Sequence, residues 1–164
     1  MGATYSGFSL PRTLEVTKPL AGSAATEAIN LFSVVGKVCV KKIYGIVTDD
    51  TTLANMTDCH FNLRDGADVP LTKATTLVMS TAVVGALVIK YAAAAANAGF
   101  LDGVLAGVLE GNTPIVPFAF TINQKPAVAT YIQWVYTTTD APIAAAMKFF
   151  VEYEGIDGGY LTAV

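Results

Sequence analysis

Apolar and polar positions alternate along much of this chain with a period of two. In AAAMKFFVEYE (144–154), Met147, Phe149, Val151 and Tyr153 fall on one face; Lys148, Phe150, Glu152 and Glu154 fall on the other. That is the pattern of a half-buried antiparallel strand. KVCVKKIYGIVT (37–48) alternates too, but the phase slips at Lys41-Lys42. Val38 and Val40 share a face with Ile43 and Val47 only if one extra residue is inserted there, as a β-bulge does. ATYIQWVYTTT (129–139) is apolar on both faces, with Ile132, Trp134 and Tyr136 on one and Ala129, Tyr131 and Val135 on the other. Such a strand is expected to be covered twice, by a second sheet and by a neighbouring subunit.

Further strands are predicted at 13–17, 27–35, 55–63, 75–81, 86–91 and 115–121, all rich in β-branched and aromatic residues. Turn signals separate them: Val35-Gly36, Asp49-Asp50, Arg64-Asp65-Gly66, Gly111-Asn112-Thr113-Pro114 and Thr139-Asp140-Ala141-Pro142. The expected fold is all-β, an antiparallel sandwich or jelly roll spanning residues 27–154. Residues 1–26 read as an N-terminal arm or edge strand, and 155–164 as a C-terminal tail. One segment breaks the pattern. YAAAAANAGFLDGVLAG (91–107) carries an Ala run of high helix propensity and reads as a short helix or an inserted loop, placed at a subunit contact.

Composition adds a constraint. Apolar residues make up 53% of the 164 and charged residues 14%, against about 25% charged in a typical soluble domain. Mean hydropathy is +0.52. So few charges cover a free monomer poorly, which leaves a membrane or an assembly to take the excess. The most apolar window, 74–89, is short, contains Thr and Ser, and lies between Lys73 and Lys90. It is a poor membrane span. The first residues lack the basic and apolar regions of a secretory signal. Net charge is −3 with no basic cluster beyond Lys41-Lys42, so neither nucleic acid nor membrane is an expected partner. Cys39 and Cys59 read as two buried, reduced thiols.

The chain carries little that suggests catalysis, and no enzyme activity or cofactor is expected. The one histidine, His60, has Asp58, Cys59, Asp65 and Asp68 near it in sequence. On a strand, Asp58 and His60 share a face and Cys59 points the other way. That is short of the three or four convergent ligands a zinc site requires, and no calcium-loop spacing is present. A surface strand leading into an RDG turn explains the cluster. Ser33 and Ser80 lie outside any nucleophile elbow. Glu152 and Glu154 share one strand face, which suits a solvated surface better than a paired-acid cleft. Tyr131, Trp134 and Tyr136 offer a stacking platform for sugar only if exposed, and core is the commoner fate of such residues.

Two stretches together resemble a known group. In LFSVVGKVCVKKIYGIVTDD (31–50), Leu31, Phe32, Val34, Gly36, Val38, Val40, Gly45, Val47 and Thr48 fit an "LF-x-V-x-G-x-V-x-V" and "I-x-G-x-V-T" pattern. At the far end, Tyr153, Gly155, Ile156, Asp157, Gly159 and Leu161 fit a closing aromatic strand and small turn. This resembles small structural proteins encoded beside the major capsid protein in tailed bacteriophages. Gly155 stands where the group tends to have Pro, Tyr160 replaces a small residue, and 64–112 matches poorly. The resemblance implies a decoration, or cement, protein on the virion's capsid surface, made in the host cytoplasm. Its implied partners are two further copies in a homotrimer and the major capsid protein. It also implies that the tail IDGGYLTAV leaves the domain to lie on a neighbour, bent at its two glycines. The residues expected at interfaces are Tyr131, Trp134, Tyr136, Ile156, Tyr160 and Leu161. A trimeric tail-fibre or carbohydrate-binding jelly roll is the alternative.

Overall fold

A computed structural model describes residues 10–21, 25–49, 56–71, 79, 82–90, 99–102, 119–138 and 145–164. These residues are all-β, in nine strands: β1 (Arg12–Leu20), β2 (Thr26–Asp49), β3 (Met56–Arg64), β4 (Asp68–Pro70), β5 (Leu87–Lys90), β6 (Gly99–Asp102), β7 (Phe120–Asn123), β8 (Thr130–Thr138) and β9 (Ala145–Ala163). Every pairing is antiparallel. The main path runs β1-β9-β2-β8-β3-β4, with β5 and β7 also on β2 and β6 on β5. Among the described residues no helix is long and apolar enough to cross a membrane.

The strand β2 organises the rest. Its 24 residues pair along one edge with β9, from Phe32↔Ala163 to Asp49↔Ala146. Along the other edge they meet β8, then β7, then β5 in turn. Register shifts fall at Asn30/Phe32, Val35/Lys37, Val40/Lys42 and Val47/Asp49. Bulges bend a strand and sharpen its twist, so one strand serves two layers. The layers meet through aromatic rings. Phe149 of β9 lies 5.5 Å from Trp134 of β8 and 6.2 Å from Phe61 of β3, and Phe61 meets Trp134 edge-on at 4.9 Å. Around them sit Phe32, Ile43, Met56, Ile132, Met147 and Val151, all buried. Gly45, opposite Phe149 in register, makes room for that ring. A Cβ there would stand 2.9 Å from Met147 and 3.0 Å from Phe149.

The expected antiparallel, all-β architecture is present, as a sheet folded onto itself around one core. The described pairings do not spell out a jelly-roll order. The bulge expected at Lys41-Lys42 is there, between Val40↔Tyr153 and Lys42↔Glu152. Residues 12–20 form an edge strand, within the segment read as an arm or edge strand. Three expectations are corrected. Val35-Gly36 is no turn, because 27–35 and 37–48 are one strand with Gly36 in a bulge at φ 69°. Within 91–107, residues 99–102 are β6, so no helix runs through them; the rest of that segment lies outside the described residues. So does 75–81 apart from Met79, which is buried.

The third correction concerns the tail. It does not leave the domain: Gly155, Ile156, Tyr160, Leu161, Thr162 and Ala163 continue β9 and pair with Val38 back to Phe32. Between Ile156 and Tyr160, three residues of β9 stand opposite the single Gly36 of β2. Asp157 (φ 51°) and Gly158 (φ 83°) take the left-handed conformation to accommodate them. Gly159 is pressed on β2 so closely that a Cβ would overlap the Lys37 backbone carbonyl. The two glycines therefore build a wide bulge that lets the strand resume pairing. They do not bend it away.

The two glycines should respond differently to alanine. Gly158→Ala has open space and meets only left-handed strain, about 1–2 kcal/mol. Gly159→Ala must displace backbone, and should exceed the about 1–3 kcal/mol of ordinary overpacking. Urea unfolding of both variants checks the order; equal losses would disprove the close approach.

Candidate interaction surface

The six residues expected at interfaces divide sharply. Trp134 and Tyr136 are fully buried, and Leu161 is 3% exposed. These three are buried within the chain's own core, where the expectation had placed them at an interface. Trp134 packs between Phe61 and Phe149. Tyr136 donates its hydroxyl to the Ala21 carbonyl at 2.7 Å, tying the end of β1 to β8. Tyr153 donates to the Leu161 carbonyl at 3.4 Å inside the β9 bulge. Tyr131 and Ile156 are half-buried. Tyr160 is 41% exposed and alone of the six stands well out from the surface.

The outer face of β1, β9 and β2 presents a different aromatic pair. Phe150 stacks on Tyr44 with ring centroids 4.7 Å apart and planes at 10°. Cross-strand pairing puts them side by side, and Glu15 of β1 lies opposite Phe150. Lys42 Nζ stands 4.9 Å from the centre of the Tyr44 ring, and Lys148 Nζ stands 5.3 Å from that of Phe150. The lysines are held by carboxylates: Lys148–Glu15 at 2.8 Å and Lys42–Glu152 at 3.7 Å. Next along, Lys41 pairs with Glu154 at 3.0 Å, and that carboxylate holds the Lys41 ammonium pKa above its ordinary value. The result is a two-ring aromatic step inside a ring of paired charges. Aromatic residues with a polar rim are the usual anatomy of a protein–protein contact. Sequence reading placed Phe150 on this face but not Tyr44 beside it. The bulge at Lys41-Lys42 was the signal, because it fixes which β2 residues line up with the outer residues of β9.

The second outer face belongs to β2, β8, β3 and β4. A polar row crosses all four strands, in register from Asn30 through Gln133 and Asn62 to Pro70. Gln133 donates to Asn30 Oδ1 at 2.8 Å. Asn62 Nδ2 donates to Gln133 Oε1 at 3.1 Å and to Asp68 Oδ1 at 3.0 Å. Arg64 closes the row on Asp68 Oδ2 at 2.7 Å. Arg64 and Asn62 together hold the Asp68 carboxyl below its ordinary value. Across the RDG turn, Lys125 pairs with Asp65 at 2.9 Å and lowers that carboxyl in the same way.

His60 and its neighbours do not form a metal centre. Asp58 (φ 54°) sits in a bulge of β3 between Thr57 and His60. Its carbonyl accepts from His60 Nδ1 at 2.7 Å. Cys59 points into the core, where burial pushes its thiol far up. Cys39 is also buried, and both thiols are free. Among the described residues, no three His, Cys, Asp or Glu side chains are placed to hold a metal ion.

Comparison with protein-family models, curated proteins and solved structures finds no match to this chain.

Two measurements check this description. Trp134→Ala should destabilise the fold by about 3–5 kcal/mol, as for a large core side chain; an equally stable variant would place the ring on the surface. Because the folded-state carboxyls of Asp65 and Asp68 lie low, their contribution is present above the unfolded value of about 3.9. It is lost as pH falls through the lower folded values. An acid stability profile at low salt should therefore fall below about pH 4, and Asp68→Asn should flatten part of that fall. Superimposable profiles would mean the Arg64–Asp68 pair contributes nothing.

Proposed function

We propose that this chain is a structural virion protein that decorates and stabilises a bacteriophage capsid through protein–protein interfaces. The observation that carries the reading is the pairing of the two resembling segments. Residues 31–48 and 153–161 are far apart in sequence yet face each other in one ladder, with Val34 opposite Leu161, Val38 opposite Gly155 and Val40 opposite Tyr153. The motif glycines have backbone reasons. Gly36 and Gly159 make the wide bulge, and Gly45 yields to Phe149. Within this chain the two motif segments thus form one ladder.

Surface chemistry supports the same reading. The β1-β9-β2 face offers the Tyr44–Phe150 step with a charged rim, and Tyr160 projects near the other end of β9. The reading includes a homotrimer bound to the major capsid protein on the virion surface, after synthesis in the host cytoplasm. Several weak sites engaged at once would hold such a protein without a single strong contact. The carbohydrate alternative leaned on Tyr131, Trp134 and Tyr136 as an exposed platform. Trp134 and Tyr136 are core residues, so that alternative is not carried forward.

The deciding experiment measures the mass of the purified protein alone and its sedimentation with empty heads of the matching phage. A stable trimer that co-sediments with heads is expected, with retention weakened in the Tyr44→Ala/Phe150→Ala double variant. A monomer, or a trimer indifferent to heads, would overturn the proposal.

A further inference from the structure

Among the described residues β1 pairs with β9 and with no other strand, so it ends the sheet. In an antiparallel ladder, alternate residues turn both backbone groups to the partner and the rest turn them away. Pro19, opposite Ala146, has no N–H to give and belongs to the outward set. Thr13, Glu15 and Thr17 share its phase, so their N–H and C=O groups point to the open edge. Their side chains are exposed on the outer face.

The side chains in the other phase lie on the core side, opposite Tyr153, Val151, Phe149 and Met147. Leu14 and Val16 are half-buried there and pack on the core without being sealed by it. Arg12 and Lys18 flank them on the same face, and among the described residues neither takes part in an ion pair. Inward charges and a proline discourage an edge from pairing with its own kind. A second β1 laid antiparallel so that Leu14 meets Val16 puts Arg12 opposite Lys18 and Glu15 opposite Glu15, and like charges directly opposite are destabilising. Sliding it by two residues puts Leu14 opposite Lys18 or Val16 opposite Arg12.

We propose that the open edge of β1 accepts one added strand from a protein partner, an extended segment of the pattern acid-x-apolar-x-apolar-x-acid. The segment's backbone takes the outward groups of Thr13, Glu15 and Thr17. Its apolar pair completes the cover of Leu14 and Val16, and its carboxylates meet Arg12 and Lys18. Strand addition draws affinity from main-chain bonds and specificity from alternate side chains. A polyphosphate matches the two cations but leaves the outward carbonyls and the apolar pair without partners. The inference does not rest on the decoration reading.

The test is amide exchange and NMR titration of the full chain with the capped peptide Glu-Thr-Val-Thr-Val-Thr-Glu. In the free protein, the amides of Thr13, Glu15 and Thr17 should exchange faster than those of Leu14 and Val16. Saturating peptide should slow those three at least about tenfold, with a dissociation constant on the order of millimolar or tighter. The peptide with lysine in place of both acids should bind at least about tenfold more weakly. N-methylation at the central threonine, which removes its bond to Glu15, should abolish protection. Arg12→Glu/Lys18→Glu should exchange the preferences for the acidic and basic peptides. The opposite exchange phase in the free protein, no protection by the acidic peptide, equal binding of the two peptides, or undiminished protection by the N-methylated one would overturn the inference. So would protection that grows with protein concentration alone, which assigns the edge to a second copy, or stronger protection by tripolyphosphate. Peptide binding beside indifference to heads would leave this inference standing without the decoration reading, and a trimer that binds heads but no peptide would do the reverse.

Discussion

The β2–β9 ladder is the constraint on which the rest of the structure depends. β9 carries β1 on its far edge, and β2 carries β8, β7 and β5 on its own. Register is unforgiving in such a pair, because a slip of one residue turns every side chain to the wrong face. Here a slip would bring Phe149 and Val151 out of the core and Lys148 and Glu152 into it. The bulges guard against this. Only Gly36 lies opposite the three residues Asp157-Gly158-Gly159, and only a residue without a Cβ can sit on the Lys37 carbonyl. A shifted ladder would put side chains where the backbone leaves no room.

The same bulges give one strand access to two layers. Between Val34 and Ile43, β2 passes from the β8 neighbourhood to that of β5 and β7 while keeping β9 as its constant partner. Phe149 can then reach Trp134 and Phe61 across the core. The aromatic cluster is thus a consequence of the bent ladder, and in turn fixes how far the layers close on each other.

Much of this was legible in the chain. Strict alternation at 147–154 gave the face of β9, and two adjacent lysines inside an alternating run gave the bulge of β2. The tail was misread for a physical reason. A glycine pair after a strand is the ordinary sign of a turn. What makes it a bulge here is Gly36, more than a hundred residues away in the chain, and only the pairing brings them together. The two-sided apolar character of 129–139 was read as burial on both faces; of the outer residues Val135 is buried, Tyr131 half-buried and Ala129 exposed, and where that face is covered the cover is local. Gln133 and Val135 are 8% and 9% exposed, beside Asn30, Asn62, Ala28 and His60 on adjacent strands. The candidate surface at Tyr44 and Phe150 went unread because each residue alone looks like an ordinary strand position, and only the register set by the Lys41-Lys42 bulge pairs them.

Electrostatics bears on which kind of partner such a surface suits. Among the described residues, five basic side chains, Lys41, Lys42, Arg64, Lys125 and Lys148, are engaged in ion pairs. Pairs this exposed add little stability each, with a median of about 0–1 kcal/mol. Their effect is on the field. Neutralised in place, they leave little positive potential to draw in a phosphate backbone. They also present a partner with charges already matched, so docking demands less desolvation of unpaired ions than bare lysines would. A partner docking on such a face would gain affinity from contact area and from the Tyr44–Phe150 step, with salt exerting a weak influence. That is the behaviour the proposed decoration role calls for.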